Sequence, residues 1–381
     1  MHPQAGRIER APFHAMTNSA PFMEHRRVPR RIGGEMPAFS DRLGATQAWQ
    51  PNWLPFSHGR AALAWLLERW GIRSATVCAY TCPSVPTFLQ RRGLPLGLFD
   101  VGTSLDEIMK LARAFPTPRM IILPALFGVE PWIASDRLTV PLNADEFIVI
   151  DAAQTAFGHI DFPLPGRGAI LSCPRKTTAL ADGAVLAVPD ELGSIADIRD
   201  LPIARTAASL KAAARALWAT NDSKFEQLAL DFNRASEGSW PDTPHRMNDE
   251  SQVIFERLDR QWHADIRRRN RNTLAKAIRG RITIWSPDDG TPFSLPVFVG
   301  NRDAVLLHLR EQRIFATALW PDASHDPARY PVAAWFARHL ISLPVDQRHT
   351  PMDMERVAET ILAVAERPST GLPQQAECFV G

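Results

Sequence analysis

Three short stretches hold side chains able to do chemistry. Phe147-Ile148-Val149-Ile150 is an apolar run that ends on Asp151 and continues Ala152-Ala153-Gln154. If that run is a buried strand of an open parallel sheet, its carboxyl end borders the crevice where such sheets bind ligands, which puts Asp151 and Gln154 at a site. The same pattern suits an Asp that only caps the next helix. Lys176 follows in Ser172-Cys173-Pro174-Arg175-Lys176, between the apolar Ala169-Ile170-Leu171 and Ala184-Val185-Leu186. A lysine so flanked reaches solvent mainly through a cleft. Partial desolvation there lowers its pKa and lets the amine form a Schiff base with an aldehyde. A solvated loop lysine is the plain alternative. In Ser57-His58-Gly59-Arg60-Ala61 a small polar turn opens a helix, and its free N–H groups and the helix dipole suit a phosphate. Gly59 lets a ligand approach the backbone, and Arg60 can add charge-assisted hydrogen bonds. An N-capped helix without a ligand fits the same residues.

The elements that must position these groups follow from periodicity. Helix-like patterns over Ala61–Trp70 and Leu105–Phe115 alternate with strand-like runs at Ala75–Ala79, Met120–Pro124 and Phe147–Ile150. Strands alternating with helices over this length predict βαβ units and a largely parallel sheet. Residues 204–235 predict long helices, Glu237–Pro244 a break, and Glu250–Ile278 further helix with its Arg and Lys on the solvent face. Short strands are expected at Arg281–Trp285 and Ser294–Val299. Thr350-Pro351 opens a last amphipathic helix, the hydroxyl as N-cap and the proline in the first turn. This predicts an N-terminal arm over residues 1–45, a large domain over 46–240 and a smaller α+β domain over 241–381.

Composition narrows the function. In 381 residues, 45% apolar and 22% charged side chains match an ordinary globular protein. Lys+Arg 43 against Asp+Glu 41 leave a net charge of +2, so no overall field favours nucleic acid or an anionic membrane. The basic run from Arg267 to Arg281 lacks the interleaved aromatics of a base-stacking surface and is expected to be a solvated helix face, able to attract a diphosphate. No run of about 18 apolar residues predicts a membrane span. Cys78, Cys82, Cys173 and Cys378 make no disulfide framework or metal set, and no signal-peptide pattern opens the sequence, so a cytoplasmic location is expected. Dinucleotide, P-loop, HExxH and GxSxG motifs are absent. Trp262, His263, His159 and His349 are expected to be structural.

In this order, the phosphate-suited turn, the strand-end Asp-Ala-Ala-Gln and the later Ser172…Lys176 resemble the fold-type I pyridoxal-phosphate (PLP) enzymes. Among these the DegT/StrS sugar aminotransferase family is most similar, over about Leu54 to Ala365. Supporting likenesses are Ala79-Tyr80-Thr81-Cys82-Pro83-Ser84-Val85, Leu123-Pro124-Ala125-Leu126-Phe127-Gly128, Arg246-Met247 and Leu343-Pro344-Val345-Asp346.

The resemblance implies an α/β fold: a large αβα domain with a mostly parallel sheet, plus a smaller C-terminal α+β domain. It implies that Lys176 binds PLP as a Schiff base and shuttles the proton, that Asp151 holds the pyridine nitrogen protonated, and that Gln154 bonds the ring's 3-oxygen. Ser172 and the Gly59-Arg60-Ala61 turn would hold the phosphate. Cys82 stands where many members place a stacking aromatic, which leaves Tyr80 or His58 for that task. His58-Gly59-Arg60 replaces the family's Ser-Gly-Thr, and Pro244 an Asn that often reaches the neighbouring subunit's phosphate. The implied partners are an amino-acid donor such as glutamate, a keto acceptor that is a nucleotide-linked keto sugar, and a second copy of the chain in a homodimer. PLP-dependent dehydration or another carbanion reaction, and a non-catalytic binding descendant, are the alternatives.

Overall fold

The computed structural model describes residues 30–38, 41–128, 141–155, 167–285, 291–321, 326–369, 371 and 373. His159 and Cys378 lie outside them. Residues Arg31–Gly381 cluster as one unit, so the expected arm is built into the fold from Arg31 onward. Its strands are β1 (Ile32–Gly33), β2 (Trp53–Phe56), β3 (Ser74–Cys78), β4 (Leu96–Phe99), β5 (Arg119–Pro124), β6 (Glu146–Ala152), β7 (Gly168–Ser172), β8 (Ala184–Ala187), β9 (Thr283–Ile284), β10 (Leu295–Phe298), β11 (Ile314–Phe315) and β12 (Leu340–Leu343). The helices are α1 (Gly59–Arg69), α2 (Ser84–Arg91), α3 (Leu105–Ala112), α4 (Arg205–Ala219), α5 (Glu226–Ser239), α6 (Asp249–Arg257), α7 (Arg260–Ile278), α8 (Arg302–Glu311), α9 (Pro331–His339) and α10 (Pro351–Leu362).

A seven-stranded sheet runs β2-β8-β7-β6-β5-β3-β4. β4, β3, β5, β6 and β7 are parallel, and β8 and β2 close one edge in antiparallel fashion. The continuous apolar runs of β5 and β6 follow from burial on both faces. Successive side chains alternate between two cores. Ile121, Leu123, Ile148, Ile150 and Ile170 pack with α3 and α9 on one face. Met120, Ile122, Phe147, Val149 and Leu171 pack with α1 on the other. Asp100, just past β4, ties α9 to the sheet: its carboxylate accepts the Val332 and Ala333 N–H groups at 2.9 and 2.8 Å, capping a helix start far along the chain.

The C-terminal part is built on the antiparallel sheet β12-β10-β9. Its core joins α7, α8 and α10 through Leu274, Val305, Leu309, Met354 and Val357. α10 starts as expected, with Thr350 and Asp353 in a reciprocal capping box and Pro351 in the first turn. β1 pairs in parallel with β11. Two expectations are corrected. The helix over 250–278 is broken at Leu258-Asp259, where the Asp259 carboxylate caps α7 by accepting from the Trp262 N–H at 3.0 Å. Nor is its basic face solvated as a whole: Arg267 is 2% exposed and donates to Gln347 and to the Pro292, Phe293 and Thr177 carbonyls. A single-sequence helical pattern shows a polar stripe but not the carbonyls that will meet it.

His263, buried beside Arg267 on α7, is structural and makes stability pH-dependent. Burial, with the charge of Arg267, holds its imidazole down to about 4. Because the unfolded histidine titrates near ~6.5, the unfolded chain binds the extra proton between those values. The stabilisation is complete above about pH 6.5 and falls as pH drops towards about 4, by on the order of 3 kcal/mol. In His263→Gln the loss of unfolding free energy between about pH 7 and about pH 4.5 should be smaller than in the native protein by up to that amount, measured by chemical denaturation.

Candidate active site

The parallel strands deliver their carboxyl ends to one edge of the sheet. On β6, Asp151 lies beside Pro124 of β5 and Leu171 of β7. The Ala153 N–H donates to its Oδ1 at 3.0 Å, which fixes the carboxylate. Burial pushes the Asp151 carboxyl up, while the Lys176 charge and the Ala153 N–H pull against that shift. Three residues on from Asp151, the Phe127 N–H donates to Gln154 Oε1 at 3.1 Å. With its oxygen occupied, the amide presents its nitrogen as the free donor. Phe127 reaches this position through a left-handed backbone (φ 59°), its ring edge-on to Trp285 at 6.0 Å.

β7 ends at Ser172, and Cys173 leads into a single tight turn, Pro174–Lys176. Thr177 and Thr178 donate their hydroxyls to the Pro174 carbonyl. Arg267 and Gln347 donate to the Thr177 carbonyl from the C-terminal part. The turn is thus held from both sides, yet the half-buried Lys176 amine has no hydrogen-bond or ion-pair partner among the described residues. Burial pulls this amine down, but the neighbouring Cys173 and Cys82 sulfurs and the Asp151 carboxylate outweigh it and hold Lys176 above its ordinary value. The expected lowering of the Lys176 pKa is thus corrected: burial alone lowers it, but its neighbours prevail.

The turn that opens α1 completes the group. A Cβ on Gly59 would lie 3.3 Å from Cys173 Sγ and 3.6 Å from Leu171 Cδ2, so the helix start packs tightly on the end of β7. The Ala61 and Ala62 N–H groups return to the His58 carbonyl, while those of Gly59 and Arg60 have no partner in the described chain. The buried Ser172 hydroxyl beside them is likewise unbonded among the described residues. Lys176, Asp151, Gln154, Ser172, Cys82 and the Gly59-Arg60-Ala61 turn therefore gather at one end of the sheet.

Tyr80 does not join them. Its hydroxyl donates to the Leu319 carbonyl at 2.8 Å and its ring packs edge-on against Trp320 and Phe336. The expectation that it stacks on a ligand is corrected: the side chain is consumed by the core. Arg60 is also engaged, pairing with Asp242 at 3.0 Å. His58 bonds Ser57 through Nδ1 and lies 5.0 Å from the Trp240 ring.

Sequence reasoning missed a charged network next to Lys176. Arg175 pairs with Glu237 at 3.1 Å, Lys211 with Glu237 and Glu35, and Arg215 with Glu35 at 3.2 Å. Burial works against the Glu35 carboxylate, but Lys211 and Arg215 outweigh it and hold it below its usual range. The available signal was Lys211 and Arg215, one helical turn apart in an alanine-rich helix. The network lines a cavity of about 550 Å³ that Lys176, Arg267, Ser294 and Asp346 also border, whereas Asp151, Gln154 and Ser172 do not. Lys176 thus lies between the strand-end group and this cavity.

No family model matches the sequence, and no curated protein matches it significantly. Solved structures do match. A DegT/DnrJ/EryC1/StrS aminotransferase from Brucella abortus is 16% identical, with 82% of this chain and 85% of that one covered at a TM-score of 0.53. A candidate sugar aminotransferase from Streptococcus pneumoniae, in its PMP form, is 16% identical over 82% and 88% at 0.58. DesI, solved with its TDP-sugar product, is 16% identical over 82% and 80% at 0.55. At such identity the likeness is one of fold: this chain has the α/β fold of the fold-type I, DegT/StrS-type aminotransferases. Among the described residues no group of side chains could hold a metal ion, and no helix is long and apolar enough to cross a membrane.

The network makes a direct prediction. Glu35→Ala leaves Lys211 without one carboxylate and Arg215, which is 2% exposed, without its ion pair. The loss should be about 3 kcal/mol of unfolding free energy, read from a denaturant midpoint.

Proposed function

We propose that the chain is a PLP-dependent aminotransferase, moving an amino group from a glutamate-like donor to a keto substrate, a nucleotide-linked keto sugar. The observation that carries this reading is the Lys176 amine, unpaired among the described residues and close enough to Asp151 to feel its charge. A half-buried structural lysine is ordinarily paired with a carboxylate, as Lys211 is; an unpaired one is available to a carbonyl carbon. The PMP form and the TDP-sugar product of the matched structures support the cofactor and the substrate class.

The remaining residues fit PLP by the chemistry of their free groups. The Asp151 carboxylate suits a protonated pyridine nitrogen. The Gln154 nitrogen, its oxygen taken by Phe127, suits the ring's 3-oxygen. The Ser172 hydroxyl and the Gly59 and Arg60 N–H groups, unbonded among the described residues, suit the phosphate. With Tyr80 in the core, Cys82 beside Lys176 is the side chain left to lie against the ring.

Bound PLP supplies an electron sink for the electron pair released at the substrate carbon. Lys176 would hold it through its amine and would move the proton at the substrate's α-carbon. Asp151 would hold the proton on the ring nitrogen, and the Gln154 amide nitrogen would donate to the ring's 3-oxygen. The 550 Å³ cavity beyond Lys176 gives the substrate a place on the lysine's side. The same reading carries a homodimer and a cytoplasmic location.

Added PLP should give the native protein a visible absorption band that glutamate discharges, and Lys176→Ala should show neither band nor turnover. A band that persists in Lys176→Ala overturns the role of Lys176, and one that no amino acid discharges overturns the aminotransferase reading. Asp151→Asn should keep the band and lower kcat/KM about a hundredfold or more, because the charge supporting the ring nitrogen is gone.

A further inference from the structure

Beside the start of α1, three buried side-chain nitrogens have no well-formed hydrogen bond among the described residues: His58 Nε2, Trp240 Nε1 and Arg175 Nε. The three residues are 1%, 4% and 8% exposed. They meet at one ring, for the His58 imidazole lies 5.0 Å from the Trp240 ring and the Arg175 guanidinium carbon also lies 5.0 Å from it. A buried donor left unmade is costly, so three in contact mark a place for an acceptor. Next to them are the unbonded N–H groups of Gly59 and Arg60, both still partly exposed.

Charge points the same way. The network Arg175, Lys211, Arg215, Glu35 and Glu237 contains three cations and two carboxylates. Arg60 cannot be the free cation here, since Asp242 takes its guanidinium.

We propose that Arg175 and His58 complete an anion cup at the start of α1 that binds the cofactor's phosphate, with Arg175 supplying its positive charge. This rests on the PLP reading above. Arg175 is placed for it by its position in the Pro174–Lys176 turn, one residue before the anchoring lysine. His58 contributes a neutral donor: burial and the nearby Arg175 and Arg60 charges hold its imidazole well below its ordinary value. Its Nδ1 is engaged with the Ser57 hydroxyl at 2.9 Å, which leaves Nε2 for the phosphate. Glu237, itself half-exposed, competes with the phosphate for Arg175.

The test compares affinities for PLP and for pyridoxal, which lacks the phosphate, by absorbance titration of the full chain. Arg175→Gln should weaken PLP about tenfold or more and leave pyridoxal unchanged. Glu237→Gln should tighten PLP and leave pyridoxal unchanged, whereas a purely structural Arg175–Glu237 pair would weaken both. If Arg175→Gln fails to fold, Glu237→Gln decides. A native ratio of PLP to pyridoxal affinity in Arg175→Gln overturns this proposal alone. Failure of the native protein to bind either compound overturns the cofactor reading and this proposal with it.

Discussion

The approach of Gly59 to the end of β7 is the contact on which the site depends. A side chain at position 59 would press on Cys173, its Cβ 3.3 Å from Sγ, so glycine lets the helix start lie this close without displacing its neighbours. Through it, α1's unbonded N–H groups, the Ser172 hydroxyl and the Lys176 turn share one small volume, although they come from separate parts of the chain. β6 adds Asp151 and Gln154 to that volume because it is the parallel neighbour of β7. Widening the gap would move the helix start away from the lysine without breaking a single hydrogen bond of the sheet.

The second ordering principle, among the described residues around Lys176, is the separation of the buried cations that are paired from the lysine that is not. Around Lys176 the other buried cations have partners: Arg175 and Lys211 on Glu237, Arg215 on Glu35, Arg267 on three carbonyls and Gln347. These pairs hold the walls and leave the lysine amine to feel Asp151 at a distance beyond an ion pair. A reactive amine needs such surroundings, because a direct carboxylate partner would hold its proton and occupy the space of a ligand.

Much of this was legible in the sequence where local pattern and global role coincide. β6 is apolar from Phe147 to Ile150 because it is buried on both faces, and Asp151 follows that run near its end. The α10 cap depends only on Thr350, Pro351 and Asp353. Elsewhere the outcome depended on partners distant in sequence. β4 was missed because Leu96-Gly97-Leu98-Phe99 is a short edge strand, buried only at alternate positions, with a glycine that admits Phe115. Tyr80 lies next to strand-end residues, but which way it turns depends on the Leu319 carbonyl. Arg267 looks like a surface arginine until the carbonyls around it are known. The charged network behind Lys176 joins five residues from four segments, and no local signal brings those together.

The capping of α9 by Asp100 bears on how the molecule is made. The carboxylate and the two N–H groups it receives are separated by 232 and 233 residues. At the pace of synthesis, Asp100 is made on the order of tens of seconds before Val332 and Ala333. Over that interval Tyr80, Phe99 and Phe127 lack the Trp335 and Phe336 side chains that later cover them. The nascent sheet therefore carries an open aromatic face on the ribosome.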